Sequence, residues 1–414
     1  MGRTPGGRDA SCRVEMNAGN RPPARVRLLG WSLILAAPVL VLASLEALAR
    51  VVSLGPVARA EVPAWLHPGI LEKEKDWIRL LAARPGDLET YYRTYRWDRD
   101  LFYTLQPGLS LTLTDVTAPD AIRPATAWRF RTNSRGYNTP EAPYDKPPGT
   151  LRVVALGDSS TFGWGVDPEA PYPRRLETLL RSRHPDLSIE VVNLGVCGYS
   201  SFQGRILLAR EALRYHPDVV TLSYGSNDYS AVPEPFDAAH RRQQGWTGTL
   251  RGALRGALHN SRAYQAAASW WGSGRAPARD LVLNVGPDRS RENLEAMARE
   301  ARQAGASPIF VENCTPGDMA GPMEEAAAAA GVPLLRTARL LEGAVEDQAR
   351  GRLSLPELDR TRALYGKALM REYPWLAVYL SDHCHPNVAG QRILAEALAP
   401  MVEATAPFRA RGIP

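Results

Sequence analysis

Lysine is nearly absent from this chain of 414 residues, since only four of its 50 basic residues are lysines and the rest are arginines. Six arginines lie before residue 28, and the others are interspersed with 44 acidic residues. The net charge is +6, but the basic residues do not form a stripe with interleaved aromatic residues. Such a stripe is the pattern of a nucleic-acid-binding surface. The composition argues against a nucleic-acid partner.

Cysteine is also scarce. The four cysteines are Cys12, Cys197, Cys314 and Cys384. None belongs to a Cys-x-x-Cys pair, which argues against a structural zinc site or a dithiol redox motif. The run from Asp382 to His385 contains metal-ligating residue types, but adjacent residues converge poorly on one ion and no second ligand cluster is evident. We predict no metal and no cofactor.

Long apolar runs are absent apart from one, Leu28–Ala49, in which Glu46 is the only charged residue. A helix of this length spans roughly 33 Å, which is enough for a bilayer core. Because Arg21, Arg25 and Arg27 lie just before the run, the positive-inside rule places the N-terminus in the cytoplasm. We therefore predict a single-pass membrane anchor over 28–49, with the catalytic part periplasmic or extracellular.

Two other interpretations of this run stay open. Ala47-Leu48-Ala49 resembles a signal-peptide cleavage site, so that the protein would be secreted after cleavage near Ala49. A buried soluble helix is the second alternative, which Pro38 favours slightly and the apolar character of all faces opposes. Residues 1–27, rich in Gly, Pro and Arg, are predicted to be a disordered cytoplasmic tail.

Residues 60–150 are rich in aromatic residues and show little regular pattern. Two alternating stretches, Ser110–Thr114 and Ala127–Thr132, predict strands. We predict an irregular N-terminal extension packed on the main domain. Pro147-Pro148-Gly149 then breaks the chain, and the main domain is predicted to span 151–403.

After this break, short apolar strands alternate with helices. The predicted strands are Leu151–Leu156, Ile189–Leu194, Val219–Tyr224, Pro308–Glu312 and Val332–Leu335. The predicted helices are Tyr172–Arg183, Phe202–Tyr215, Arg291–Ala304, 323–330 and Val388–Ala399. The alternation predicts a doubly wound, flavodoxin-like α/β fold, with a parallel sheet covered by helices on both faces. Residues 231–289 interrupt it with polar loops and a helix around Gly256–Trp271, as an insertion that shapes the pocket or forms a surface hairpin.

The first strand ends in the turn Gly157-Asp158-Ser159-Ser160. Glycine at 157 permits a tight turn, which exposes Ser159 beside the N-terminus of a helix. Ligands of open α/β sheets bind at such strand ends. The sequence Gly-Asp-Ser is also common in ordinary turns. Whether Ser159 is catalytic therefore depends on which other side chains lie at the same edge of the sheet.

Near the C-terminus, Asp382 and His385 lie three residues apart in one loop. A serine nucleophile needs a base, which histidine supplies near neutral pH, and the histidine needs a carboxylate to orient it. Pro386 suits the first turn of the following helix. A plain polar loop or helix cap is the alternative for this segment alone.

Two further strand ends carry glycine and asparagine: the run Asn193–Gly198, and Gly225-Ser226-Asn227-Asp228. A glycine N–H and an asparagine amide are suitable donors to the oxyanion of a tetrahedral intermediate. Each loop alone is an ordinary turn. All four segments, however, follow successive strands in order and should meet at one edge of the sheet.

These four segments resemble the blocks of the SGNH hydrolase superfamily, the GDSL-type esterases and lipases. The resemblance implies that Ser159 is the nucleophile, His385 the base and Asp382 the orienting carboxylate. It also implies an oxyanion hole formed by the N–H groups of Ser159 and Gly198 and by the Asn227 amide.

The resemblance covers about residues 151–403, and Gly195 is the alternative oxyanion glycine. The stretches Gly157–Val166 and Thr132–Tyr137 resemble the membrane-anchored bacterial members, which implies work on cell-envelope or exported glycans. The resemblance therefore implies an esterase acting on small acyl esters, most often acetyl. An O-acyltransferase that passes the acyl group to a sugar hydroxyl, and a non-catalytic envelope protein, are the alternatives. The pairing of Cys384 with Cys197 or Cys314 stays open, as do protein partners and oligomeric state.

Overall fold

The computed structural model of the chain describes residues 24–52, 94–114, 127–232, 234–258, 261–264, 267, 282–312 and 320–411. The chain divides into two compact units, Met1–Leu54 and Gly55–Pro414. In the first unit, helix α1 (Ala24–Val51) covers the run for which a membrane anchor is predicted. Among the described residues, no helix qualifies by length and apolarity as a membrane span. The anchor stays a prediction, and the tail before residue 24 lies outside the described residues.

Within the ranges that the structure describes, the second unit holds all the strands and the remaining helices. The strands are β1 (Tyr95–Asp98), β2 (Phe102–Leu105), β3 (Ser110–Thr114), β4 (Ala127–Arg131), β5 (Leu151–Gly157), β6 (Ile189–Asn193), β7 (Val219–Ser223), β8 (Ala231–Val232), β9 (Val282–Leu283), β10 (Ser307–Val311) and β11 (Leu334–Leu335). The helices are α2 (Ser159–Phe162), α3 (Tyr172–Arg183), α4 (Ser201–Arg210), α5 (Phe236–Gln244), α6 (Trp246–Leu258), α7 (Pro287–Gln303), α8 (Gly321–Ala330), α9 (Thr337–Ala349), α10 (Pro356–Glu372), α11 (Val388–Glu403) and α12 (Ala406–Arg409).

Five parallel strands form the central sheet in the order β11-β10-β7-β5-β6. Counted within the sheet, this is the order 2-1-3-4-5 of a flavodoxin-like, doubly wound fold. The chain order reverses at β5, and the carboxyl ends of β5 and β7 lie beside each other at that point. The predicted parallel α/β sheet is therefore present, and its switch point carries the Gly157 turn.

Alternate residues of the strands face two separate cores, because successive side chains of a strand point to opposite faces. On one face, Val154 and Leu222 pack in a buried cluster with Leu207 of α4 and Met297 of α7. On the other, Val153 packs in a cluster with residues of α3 and α11. Burial on both faces explains why the strands read as continuous apolar runs.

The N-terminal extension is more regular than the sequence indicates. β1 pairs with β2 and β3 with β4, each pair antiparallel, and the strand Ser110–Thr114 has the predicted bounds. Tyr103 and Phe130 of this region lie in the same buried cluster as the sheet residue Val154. The rest of the predicted extension, 60–93 and 115–126, lies outside the described residues.

Other predicted elements need correction. The helix predicted over Phe202–Tyr215 ends at Arg210 and continues as a 3₁₀ turn, Ala212–Tyr215. In the insertion, the described residues form helices α5 and α6 where polar loops are predicted, and α6 begins ten residues before Gly256. The last part of the predicted helix, 268–271, lies outside the described residues.

Candidate active site

The nucleophile turn is built by close packing at the end of β5. A Cβ at Gly157 would lie 2.1 Å from Thr161 Oγ1 and 2.9 Å from the Ser223 carbonyl oxygen, so only glycine fits. Asp158 caps helix α2, and its Oδ1 accepts a hydrogen bond from the Ser160 N–H at 2.9 Å. Ser159 is therefore the first residue of a helix that begins at the sheet edge.

We expect Gly157→Ala to lower the free energy of unfolding by about 1–3 kcal/mol or more, because the added methyl group overlaps backbone and a buried side chain. Urea unfolding measures this change. Gly343→Ala is the matched control: Gly343 lies exposed on helix α9 with open space around it, so alanine should stabilise the protein by about 0.5–1 kcal/mol. Equal effects of the two substitutions would contradict this explanation.

The segment with Asp382 and His385 is the tip of a short hairpin. The Leu380 N–H donates to the His385 carbonyl at 2.8 Å, and the Asn387 N–H donates to the Val378 carbonyl at 2.9 Å. Inside the tip, Asp382 Oδ1 accepts the N–H groups of Cys384 and His385, both at 3.0 Å. These bonds fix the carboxylate and the imidazole relative to each other.

The structure brings Ser159, His385 and Asp382 into one hydrogen-bonded chain. His385 Nδ1 lies 2.5 Å from Asp382 Oδ2, and His385 Nε2 lies 2.7 Å from Ser159 Oγ. Because a carboxylate only accepts, Nδ1 carries the proton and Nε2 is left to accept from the serine hydroxyl. This arrangement can remove a proton from Ser159.

The Asp382 carboxylate is ionised in this arrangement. Burial alone would raise its pKa, but the charge of His385 and the hydrogen bonds donated by His385 and Cys384 outweigh burial. The pKa of Asp382 is therefore held below its ordinary value of 3.8. A permanent negative charge next to Nδ1 stabilises the imidazolium that forms when His385 takes a proton.

Backbone donors are available beside the serine. Among the described residues, neither the Ser159 N–H nor the Gly198 N–H has a hydrogen-bond acceptor. Gly198 has φ +79°, which favours glycine there. Gly195 differs: its N–H is donated to Asn193 Oδ1 at 2.9 Å, so the alternative oxyanion glycine is engaged elsewhere.

The Asn227 side chain also lies at this edge, but its amide hydrogens have protein acceptors. Nδ2 lies 3.1 Å from the Tyr199 carbonyl oxygen and 3.3 Å from Asp158 Oδ2. Asn227 is thus connected both to the loop of Gly198 and to the nucleophile turn. As an oxyanion donor it would have to share or redirect one of these hydrogens.

Two residues with structural roles at the site were not predicted from the sequence. Asp158 is fully buried, and its Oδ2 accepts from Ser226 Oγ at 3.0 Å as well as from Asn227. Burial raises the pKa of Asp158 despite these bonds. Tyr103 of the extension donates its hydroxyl to the Cys197 carbonyl at 2.8 Å, next to Gly198. The position of Asp158 beside the serine could have signalled its role, whereas nothing in the sequence links Tyr103 to residue 197.

The structure distinguishes between the two possible disulfide partners of Cys384. Cys384 is disulfide-bonded, whereas Cys197 is a buried thiol, so the pairing of Cys197 with Cys384 is wrong. Cys12 and Cys314 lie outside the described residues. No group of three or more His, Cys, Asp or Glu side chains in the described part of the chain could hold a metal ion.

The chain is similar to a known family and to several solved structures. A family model described as GDSL-like lipase/acylhydrolase matches residues 155–393. No curated protein matches the chain. Among solved structures, TesA is 18% identical, with 62% of this chain and 99% of that chain covered and a TM-score of 0.36. Axe2, an acetylxylan esterase from Geobacillus stearothermophilus, is 17% identical, with 62% and 95% covered and a TM-score of 0.36.

Proposed function

The chain belongs to the GDSL-like lipase/acylhydrolase family and is an ester hydrolase, and we propose that it cleaves small acyl esters, acetyl above all, through an acyl-enzyme on Ser159. The observation that carries this proposal is the hydrogen-bonded chain from Asp382 through His385 to Ser159. It supplies a nucleophile, a base and an orienting carboxylate in contact with one another.

The proposed reaction has two halves. Ser159 Oγ attacks the ester carbonyl carbon while its proton passes to His385 Nε2, and the proton then goes to the departing alcohol as the ester bond breaks. Water next attacks the acyl-serine and gives a proton to His385, which passes it to Ser159 Oγ as the bond to the acyl group breaks and the acid leaves. In this proposal the N–H groups of Ser159 and Gly198 and the Asn227 amide donate hydrogen bonds to the developing oxyanion.

We expect Asn227→Ala to lower kcat by about 10²–10³-fold with a much smaller change in KM, because an oxyanion donor acts in the transition state. Hydrolysis of 4-nitrophenyl acetate measures both constants. Since Asn227 also contacts Asp158 and Tyr199, urea unfolding of the variant must be measured in parallel. A change confined to KM would remove Asn227 from the oxyanion hole.

The proposed substrate is an acetylated glycan of the cell envelope or an exported glycan, reached from outside the cytoplasm. The apolar run 28–49, with Arg21, Arg25 and Arg27 before it, supports an anchored protein with its catalytic domain outside. The disulfide of Cys384 supports the same location, because disulfides persist in oxidising compartments.

The experiment that tests the proposed function uses the purified full-length protein in detergent. It is given 4-nitrophenyl acetate, then acetylated oligosaccharides with and without unacetylated acceptor sugar, and the products are separated by mass. We expect free acetate as the main product in both cases. Transfer of acetyl to the acceptor sugar would instead make the enzyme an O-acyltransferase, and no turnover of any ester would contradict the proposed function.

A further inference from the structure

A groove of about 520 Å³ lies beside the catalytic loop, between helix α10 and the segment 167–170. We call it the α10 groove. Its lining includes Trp128, Asp167, Arg175, Arg360, Tyr365 and Tyr379. Its volume is within the range of small-molecule sites in proteins, which is about 300–1,000 Å³.

One wall of the α10 groove belongs to the hairpin that carries His385. Leu380 lines the groove, and its N–H donates to the His385 carbonyl. On another side, Trp128 packs edge-to-face on Trp164 with ring centroids 5.1 Å apart, and the Trp164 ring lies 6.5 Å from the His385 ring. The groove is therefore one side chain away from the catalytic histidine.

The lining of the groove is mixed: it has somewhat more apolar than polar surface, and several of its polar residues are charged. Asp167 forms an ion pair with Arg129, and Glu357 forms ion pairs with Arg175 and Arg392. These pairs place fixed carboxylate and guanidinium groups around the groove. They interrupt the apolar part of the lining, whereas a long acyl chain is stabilised best by a continuous apolar wall.

Aromatic rings line the groove beside these charged groups. Tyr365 and Tyr379 are half-buried, and each presents an apolar ring with a polar hydroxyl at its end. Arg360 is exposed on α10 and, within the described residues, forms no hydrogen bond or ion pair. A sugar ring combines apolar C–H faces with a rim of hydroxyl groups, so it matches ring faces flanked by planar donors and acceptors.

We propose that the α10 groove binds the carbohydrate chain that carries the ester, with Arg360 donating hydrogen bonds to its hydroxyl groups. This inference rests on the proposed function, since it assigns the alcohol part of the substrate to a place next to the same serine. The groove determines which acetylated chains are turned over efficiently. It has no part in cleaving a small aryl ester, which does not extend beyond the serine.

The test compares Arg360→Ala, Thr361→Trp and the control Arg362→Ala in the full-length protein. Thr361 lines the groove, and a tryptophan there fills it. Arg362 lies on the same helix, paired with Asp359 and outside the groove. Each variant is assayed on 4-nitrophenyl acetate, on 4-nitrophenyl palmitate and on a panel of acetylated oligosaccharides of differing backbones.

We expect the wild type to prefer at least one acetylated oligosaccharide over the aryl acetate. On that glycan, Arg360→Ala should lower kcat/KM by five- to tenfold and Thr361→Trp by more, while Arg362→Ala has no effect. All three should hydrolyse 4-nitrophenyl acetate at the wild-type rate, which shows that the fold and the catalytic residues are intact.

Three outcomes would overturn the groove assignment. They are equal losses on the glycan and the aryl ester, losses confined to the palmitate ester, and a wild type that prefers no glycan. Failure of the proposed function gives a different result, because 4-nitrophenyl acetate would then not be hydrolysed in a Ser159-dependent way at all.

Discussion

Replacing Ser159 with alanine should lower kcat for 4-nitrophenyl acetate by at least about ten-thousand-fold, because the variant has no atom that can form the acyl-enzyme. His385 Nε2 would lose its hydrogen-bond partner and would activate only water. The residual rate then comes from the oxyanion donors and substrate binding alone. So small a rate is measured by incubating the variant with substrate for hours before the product is quantified. The variant must be purified free of any wild-type enzyme.

Ser160→Ala is the matched control for this substitution. Ser160 is the next residue, it is buried, and its hydroxyl has no hydrogen-bond partner within the described residues. We expect the Ser160 variant to keep the wild-type kcat within a few-fold and to unfold at the same urea concentration or higher. A Ser159 variant that retains a substantial fraction of activity, or a Ser160 variant that loses as much as Ser159→Ala, would contradict the assignment.

Asp382→Asn should lower kcat by about ten-thousand-fold without loss of the fold. Asparagine keeps an oxygen that can accept from the N–H groups of Cys384 and His385, so the hairpin tip is retained. Its amide nitrogen then faces His385 Nδ1 and donates to it. The imidazole proton is forced onto Nε2, which can no longer accept from Ser159 Oγ.

The pH dependence of stability gives a second readout for this variant. Because the folded pKa of Asp382 lies below its unfolded value, ionised Asp382 stabilises the wild type above the unfolded pKa. That contribution is lost as the pH falls through the lowered folded pKa. Asp382→Asn should therefore show less loss of stability over this acid range than the wild type. Asp359→Asn, at an exposed position of α10, is the control and should keep the wild-type kcat. Full activity of Asp382→Asn would remove the carboxylate from the mechanism.

The parts of this fold that follow from local pattern could be predicted from the sequence. Strands β5, β6 and β7 begin at the predicted residues because each is an apolar run buried on both faces, and α3 has the predicted bounds. The site residues follow from the fold: in a parallel sheet the segments after β5 and β7 must meet at one edge. The contact of Ser159 with His385 does not follow from this topology, because the hairpin of His385 comes after α10 and not after a strand of the sheet as the sequence predicts. Its prediction depended on the resemblance of the four segments to a known family.

Other parts depend on contacts that no local pattern encodes. Helices α9 and α10 lie in a polar stretch where no apolar periodicity predicts a helix, and α10 is interrupted at Gly366, whose backbone is not helical. Strands β1 and β2 have only four residues each, which is too short for a local pattern to predict, and each is held by pairing with the other. The contact of Tyr103 with the Gly198 loop joins residues 94 positions apart, so it requires the folded chain.

The central claim is that catalysis passes through an acyl group on Ser159, and trapping that intermediate tests it most directly. The full-length protein is mixed with 4-nitrophenyl acetate, quenched in acid at the earliest accessible times, and its peptides are analysed by mass. We predict a burst of nitrophenolate matched by one acetyl group on the peptide that contains Ser159, and no such label in Ser159→Ala. Acetylation at a different residue that turns over at the catalytic rate, or undiminished labelling and hydrolysis in Ser159→Ala, would contradict the claim.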